Sequence, residues 1–221
     1  GNTIIGTGGN DAIRAVSGDQ AFSGGDGDDM LLGGVSDDLL NGDAGNDYIN
    51  GGAGDDQGYG GEGSDKIYGR FGNDTLAGGD GNDAINGGED DEVIHGGEGD
   101  DALVGGKIGD GDDTLYGDGG NDLLSGYIGN DSLYGGDGND RLYGGTGSNL
   151  LHGDAGDDYI VSQGLDVIDG GEGDDVISAG SGDIVIFGTN SGHDRVGLKD
   201  GGQLDLHVLS DGVAFGGGIT I

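Results

Sequence analysis

Single apolar residues recur at a spacing of nine along most of this chain. Each stands between two variable residues, which is the alternation expected of a short strand with one buried face. A strand of this kind in every nine residues predicts a repetitive β structure. The apolar positions are Ile13, Phe22, Leu31, Leu40, Ile49, Ile67, Leu76, Ile85, Ile94, Leu103, Leu115, Leu124, Leu133, Leu142, Leu151, Ile160, Ile168 and Ile177, and Gly58 is the exception.

The residues between these short strands have turn chemistry. The repeats at 24–32, 78–86 and 135–143 show the pattern: two glycines, a free residue, a glycine, a free residue and Asp, followed by the strand. Glycine permits positive φ and close approach of neighbouring turns, whereas this much glycine would cost a helix ~1 kcal/mol per residue. Two repeats make one coil, so we predict an all-β fold, a right-handed parallel β-roll (a β-helix solenoid) of about ten coils.

The charge of the chain conflicts with a compact fold unless a cation completes it. Of 221 residues, 61 are Gly and 44 are Asp or Glu against 7 Lys or Arg, which gives a net charge of −37. Such self-repulsion and weak apolar burial are typical of disordered chains. Nucleic acid is excluded as a partner because phosphate binding needs clustered Lys and Arg. No apolar run is long enough to span a bilayer, so no transmembrane segment is predicted.

An acidic residue closes nearly every repeat and keeps its phase over long distances. We predict these aspartates as metal ligands: Asp11, Asp29, Asp38, Asp47, Asp56, Asp65, Asp74, Asp83, Asp101, Asp113, Asp122, Asp131, Asp140, Asp158, Asp166, Asp175, Asp183 and Asp194. Calcium fits best, because it takes six to eight carboxylate and carbonyl oxygens in tolerant geometry, whereas magnesium demands a smaller octahedral shell. Zinc does not fit, since the chain has no Cys and its four His form no cluster in the sequence.

Alternate repeats supply alternate edges of the roll, so the series divides into two columns. The first column runs from Asp11 through Asp29 to Asp194 without substitution, whereas the second contains Gln20, Glu92 and Asn149. Three residues are also inserted around Ile108–Asp110, in a turn of the second column. We therefore expect a continuous calcium ladder of up to about ten ions on one edge and an interrupted one on the other, roughly 14 ions in total.

The repeat resembles the RTX (repeats-in-toxin) haemolysin-type family over about residues 6–197. The resemblance implies ions bound between stacked turns, by the repeat's Asp and by turn carbonyls. It also implies export by type I secretion machinery and folding outside the cell at millimolar calcium. Residues 183–196 are similar to the segment that ends such arrays, so we divide the chain into a β-roll at 1–197 and a small C-terminal β cap or flanking segment at 198–221.

No catalytic function is predicted for the chain, because it lacks HExxH, GxSxG and P-loop motifs. It begins in the middle of a repeat, which indicates a fragment of a longer protein. The leading hypothesis is a secreted calcium-dependent folding switch and spacer. Alternatives are the C-terminal module of a secreted metalloprotease, lipase or alginate epimerase, or a segment of an adhesin or surface layer that contacts cells or polysaccharide.

Tyrosines recur at the last position of the repeat, which points away from the interior of the coil. Tyr116 and Tyr134 lie one coil apart, and we expect their rings to stack. Packing that supports neighbouring coils is favoured over a sugar-binding platform. An ice-binding surface is not predicted, because the chain has no regular ladder of Thr.

Overall fold

The computed structural model describes residues 3–199, except 16, 108, 110, 189 and 190, and the backbone of residues 205–208. The described residues form two parallel β-sheets, which we call the odd sheet and the even sheet after the numbers of their strands. The odd sheet contains β1 (Thr3–Ile5), β3 (Ala21–Asp26), β5 (Leu39–Ala44), β7 (Gln57–Glu62), β9 (Thr75–Asp80), β11 (Val93–Glu98), β13 (Thr114–Gly119), β15 (Ser132–Asp137), β17 (Leu150–Ala155), β19 (Val167–Asp169), β21 (Ile184–Phe187) and β23 (Asp205–Val208). The even sheet contains β2 (Ala12–Arg14), β4 (Met30–Val35), β6 (Tyr48–Ala53), β8 (Lys66–Phe71), β10 (Ala84–Glu89), β12 (Ala102–Gly106), β14 (Leu123–Ile128), β16 (Arg141–Thr146), β18 (Tyr159–Val161), β20 (Val176–Ala179) and β22 (Arg195–Leu198).

The chain winds as a solenoid with two strands in each coil. Every strand pairs in parallel with the strand two places further along, as β13 does with β15, and the described part makes about eleven coils. The predicted parallel β-roll is therefore confirmed, with a coil number close to the expected ten. The usual strand is six residues long rather than three, because the strand continues through the two glycines of the repeat.

The apolar column forms the core of the solenoid. Leu115 pairs with Leu133 in the register of the odd sheet, and both side chains are fully buried. The first glycine of each pair is also buried, two residues after the apolar position, as Gly78 is after Leu76. Each strand thus contributes one large side chain and one glycine to a narrow interior. The glycine, which has no side chain, leaves room there for the adjacent turn.

Gly58 leaves no empty space in this core. A Cβ added there would lie 3.0 Å from Cδ2 of Leu76 and 3.3 Å from Cγ2 of Ile67. The neighbouring side chains already occupy the volume that an apolar side chain at position 58 would fill. The core is therefore repacked locally around Gly58.

Insertions and deletions are absorbed in the turns, and the pairing of the strands is preserved. The usual separation of stacked residues is 18, but it becomes 21 between Asp101 and Asp122 and 17 between Asp158 and Asp175. The apolar column keeps its phase across both changes, because Leu103 still pairs with Leu124 and Ile160 with Ile177.

The predicted contact between Tyr116 and Tyr134 is confirmed. Their ring centroids are 5.0 Å apart and their planes differ by 9°. His95 and His152 extend the stack at either end, with centroid distances of 4.5 and 5.4 Å. Because the two tyrosine rings lie face to face with their neighbours in the stack, their faces are used in packing, as the sequence analysis favoured.

The boundary predicted at residue 198 lies close to the end of the described residues. Leu204 and residues 219–221, which were assigned to the cap, fall outside them. The backbone of β23 pairs in parallel with β21, so it extends the odd sheet by one strand.

Candidate calcium centre

The turns stack into two edges that correspond to the two columns of aspartates. The turns that lead from odd to even strands form the first edge and carry the column from Asp11 to Asp194. The turns that lead from even to odd strands form the second edge and carry the column from Gln20 to Asp183. The structure brings stacked members of each column together, one coil apart.

Each column is tied together by hydrogen bonds that run along the solenoid. The backbone N–H of Asp47 donates to Oδ1 of Asp65, one coil further on, at 2.7 Å. On the first edge this bond repeats at every step from Asp11 to Asp194. One oxygen of each carboxylate is thereby fixed in position by the fold itself.

The other oxygen of most of these carboxylates is buried without a partner. Sixteen of the eighteen predicted ligands are at most 3% exposed, all but Asp11 and Asp194. Within the described part of the chain, the Oδ2 atoms that are buried and accept no hydrogen bond belong to Asp29, Asp38, Asp47, Asp56, Asp65, Asp74, Asp83, Asp101, Asp113, Asp122, Asp131, Asp140, Asp158 and Asp175. A buried carboxylate oxygen without a donor is costly, so this arrangement calls for a cation.

Glycine makes room for each of these oxygens. A Cβ added at Gly78 would overlap Oδ2 of Asp83 and would lie 2.5 Å from the carbonyl oxygen of Gly96, one coil further on. The same arrangement recurs at Gly60, where a Cβ would overlap Oδ2 of Asp65 and meet the carbonyl of Gly78. These cradles therefore bring together a carboxylate oxygen and a main-chain carbonyl, the hard oxygen donors that calcium binds.

The electrostatics of the cradles also favour a bound cation. Burial raises the pKa of Asp122 to about 7, and the nearby carboxylate of Asp140 acts in the same direction, while the N–H of Asp101 opposes them. Burial likewise raises the pKa of Asp74 and of Asp131 to about 7. Since a calcium ion favours the charged form, it would restore these groups to carboxylates at neutral pH.

A second ladder of hydrogen bonds, which the sequence analysis missed, runs in the opposite direction. The residue before each ligand donates its N–H backward to the side chain of its counterpart in the preceding coil, as Asn139 does to Oδ1 of Asn121 at 3.0 Å. The ladder on the first edge is formed by Asn10, Asp28, Asn46, Ser64, Asn82, Asp100, Asn121, Asn139, Asp157, Asp174 and His193. The recurrence of Asn, Asp and Ser before the ligand was its signal in the sequence.

The protein itself supplies donors to Oδ2 at three of the predicted ligands. Oδ2 of Asp11 accepts from the N–H of Thr7 at 2.6 Å, and Oδ2 of Asp166 accepts from the N–H of Gln163 at 3.2 Å. Oδ2 of Asp183 accepts from the hydroxyl of Ser162 and from the N–H of Gly180. Asp194 is only partly buried. These positions differ from the fourteen cradles in which the oxygen is left free.

The substitutions in the second column change the chemistry of that edge. Asn149 still accepts the N–H of Asp131 on Oδ1, but it places its Nδ2 where an aspartate has Oδ2. An amide nitrogen repels a cation, so this cradle is blocked. Glu92 keeps a carboxyl group at this position, and both of its oxygens are buried without hydrogen-bond partners. Burial and the neighbouring carboxylate of Asp113 raise the pKa of this group.

The described residues contain no group of three or more His, Cys, Asp or Glu side chains arranged to hold a metal. What each turn offers instead is a single carboxylate beside main-chain oxygens. No helix in the same part of the chain is long and apolar enough to cross a membrane.

Comparison with protein families places these repeats in a known class. The model of the RTX calcium-binding nonapeptide repeat matches residues 23–58, 59–91, 78–107, 108–142, 134–164 and 161–183. A comparison with curated proteins found no match. Repeats of this kind are structural modules that bind calcium, and the buried carboxylate cradles have the donors that this requires. The chain belongs to the RTX calcium-binding nonapeptide repeat family.

Proposed function

We propose that this chain is a calcium-dependent folding module of a protein exported by type I secretion, which orders outside the cell and then acts as a rigid spacer. The single observation that carries the proposal is the set of fourteen buried Oδ2 atoms without partners. A chain with net charge −37 cannot hold so many desolvated carboxylates together without cations. Because the cradles exist only in the coiled chain, calcium binding contributes directly to folding.

The distribution of these oxygens supports an unequal division of ions between the edges. Nine of the fourteen lie on the first edge and five on the second. About fourteen ions, one per free oxygen, would offset about 28 of the 37 negative charges. The first edge would then hold a nearly continuous row of calcium, and the second an interrupted one.

A calcium titration tests the folding switch. In calcium-free buffer at pH 7.5, circular dichroism is expected to show a coil, and millimolar calcium is expected to produce strand signal in a cooperative step. Magnesium at the same concentration is the control and should not substitute, since its octahedral shell is smaller. A chain that is fully folded in calcium-free buffer at pH 7.5 would refute the proposal.

Counting the ions tests the unequal edges. A crystal grown in calcium should show about twice as many ions on the first edge as on the second. Equal occupancy of the two edges would contradict this part of the proposal.

A further inference from the structure

Glu92 differs from the other acidic ligand positions in what its carboxylate does. At the aspartates one oxygen is held by an N–H of the preceding coil, so only Oδ2 remains free, as at Asp74. Neither oxygen of Glu92 accepts a hydrogen bond, although the residue is only 1% exposed and its carboxyl group lies beside that of Asp113. The longer side chain therefore offers two oxygens where the repeat offers one.

Those oxygens lie in a cradle of the same type as the others. A Cβ added at Gly87 would lie 2.7 Å from Oε2 of Glu92 and 2.8 Å from the carbonyl oxygen of Gly105. The N–H of Glu92 donates to Oδ1 of Asp113 at 3.0 Å, and Oδ2 of Asp113 is buried without a partner. The second edge thus gathers three buried oxygens without hydrogen-bond partners in neighbouring turns, two from Glu92 and one from Asp113.

The turn before Glu92 contains an aspartate in a left-handed conformation, which places a further carboxylate in this turn. Asp90 takes the inner position of this turn with φ 79°, a position that is glycine at Gly81 and Gly99 on the first edge. A left-handed conformation is unfavourable for most residues other than glycine. Burial and the neighbouring carboxylate of Asp113 raise the pKa of Glu92, and the carboxylate of Asp90 acts in the same direction.

Gly109 and Gly111 lie against this turn. A Cβ added at Gly111 would overlap the carbonyl of Asp90, and one at Gly109 would lie 3.8 Å from Cα of Glu89. Lys107 is directed elsewhere, with Nζ 5.2 Å from the ring centroid of Tyr127. Gly109 and Gly111 therefore lie close to the turn of Asp90, whereas the ammonium group of Lys107 lies over the ring of Tyr127.

We infer that Glu92 and Asp113 form a cation site unlike the other repeat sites, in which both oxygens of Glu92 hold the ion and ions of higher charge are preferred. The inference rests on the proposed calcium function, because it uses the same stacked turns. Attraction grows with the charge of the ion and of its ligands, so a trivalent lanthanide should replace calcium here before it does so at the single-oxygen sites.

Exchange of calcium for Tb³⁺ in the folded chain tests the site. In millimolar calcium, native mass spectrometry should show one Tb³⁺ taken up at a concentration about tenfold below that needed for the others. Anomalous diffraction from a calcium-grown crystal briefly exposed to Tb³⁺ should locate that ion beside Glu92.

Three variants complete the experiment. Glu92→Gln should lose the early exchange, and Glu92→Asp should lose it while keeping the total number of bound ions. Asp56→Asn, on the same edge, should lose one ordinary ion and keep the early exchange. An early Tb³⁺ that persists in Glu92→Asp, or no early step in the unaltered chain, would overturn the inference. A chain that binds no calcium at all would instead refute the proposed function.

Discussion

The backbone N–H of Asp65 lies 2.7 Å from Oδ1 of Asp83, one coil further along the solenoid. This bond fixes the rotation of the Asp83 carboxylate and turns its Oδ2 toward the glycine cradle, where it is buried without a partner. The fold thus positions each ligand through the coil that precedes it. A calcium site of this type requires two stacked coils, and a single repeat in isolation cannot form one.

The pH dependence of folding should change sign when calcium is removed. Burial raises the pKa of Asp65 to about 6 and that of Asp101 to about 7 in the folded chain, against an ordinary value of 3.8. The folded chain therefore binds more protons than the unfolded chain between about pH 4 and 7, so its stability rises as the pH falls through that window and is lost as the pH rises.

Circular dichroism at pH 5.5 and 7.5 measures this effect. In buffer stripped of calcium, strand signal should be greater at pH 5.5. When calcium is present in limiting amount, strand signal should instead be greater at pH 7.5, because protons compete with calcium for the same carboxylates. Loss of strand signal on acidification of the calcium-free chain would contradict the prediction.

Asn149→Asp should add one calcium ion to the second edge. The substitution keeps the acceptor for the N–H of Asp131 and replaces the buried, unpartnered Nδ2 with a carboxylate oxygen. Ion counting by native mass spectrometry in saturating calcium should show an increase of one. Asn130→Asp is the matched control: Asn130 is exposed, so the same change adds charge outside a cradle and the ion count should stay unchanged.

Gly78→Ala should remove one ion and destabilise the calcium-bound fold by about 1–3 kcal/mol. The new Cβ would overlap Oδ2 of Asp83, and that carboxylate cannot move away freely because its Oδ1 accepts the N–H of Asp65. Denaturant unfolding in saturating calcium, with ion counting, measures both effects.

Gly119→Ala provides the comparison on the same edge. The nearest atom to a Cβ at Gly119 is Oε2 of Glu98, at 3.5 Å, which is ordinary contact. We expect this variant to keep its ions and to change the unfolding free energy by less than about 1 kcal/mol. Equal effects of the two substitutions would show that the cradle at Gly78 has no special role.

Gly58→Leu should destabilise the fold by about 1–3 kcal/mol, although it restores the apolar pattern of the repeat. The space is already filled by Leu76, Ile67 and Ile49, whose side-chain atoms lie 3.0–3.7 Å from the position of the new Cβ. Gly58→Ala adds one methyl against the flexible end of Leu76 and should cost less than about 1.5 kcal/mol. Denaturant midpoints in saturating calcium compare the two, and a more stable Gly58→Leu would disprove the repacking.

Much of the fold was predictable because the repeat is local and nearly uniform. The nine-residue period predicted the parallel coils, the buried column that contains Leu115 and Leu133, and the stack of Tyr116 on Tyr134. The predicted strand was too short, because glycine has low strand propensity. In the structure, Gly78 and Gly79 nevertheless extend β9, since the neighbouring coils supply hydrogen bonds on both sides.

The contacts of individual cradles were less predictable. Asp183 and Asp140 occupy the same position of the repeat, yet Ser162 and Gly180 donate to Oδ2 of Asp183, while Oδ2 of Asp140 stays free. The difference arises from a hydroxyl 21 residues away, brought close only when the coils stack with a shortened turn. A repeat pattern cannot report such a contact, because it describes each turn without its neighbours.

The sequence by itself determined the repeat, its calcium chemistry and the division of the aspartates into two columns, because these depend on residue type and spacing. Only the tertiary structure decided which carboxylate oxygens are free. That outcome depends on donors from adjacent coils, such as the N–H of Asp65 for Asp83, and on how each turn accommodates its own insertions and substitutions. Glu92 makes the distinction clear: in the sequence it interrupts a column, and in the structure it presents two buried oxygens to the second edge.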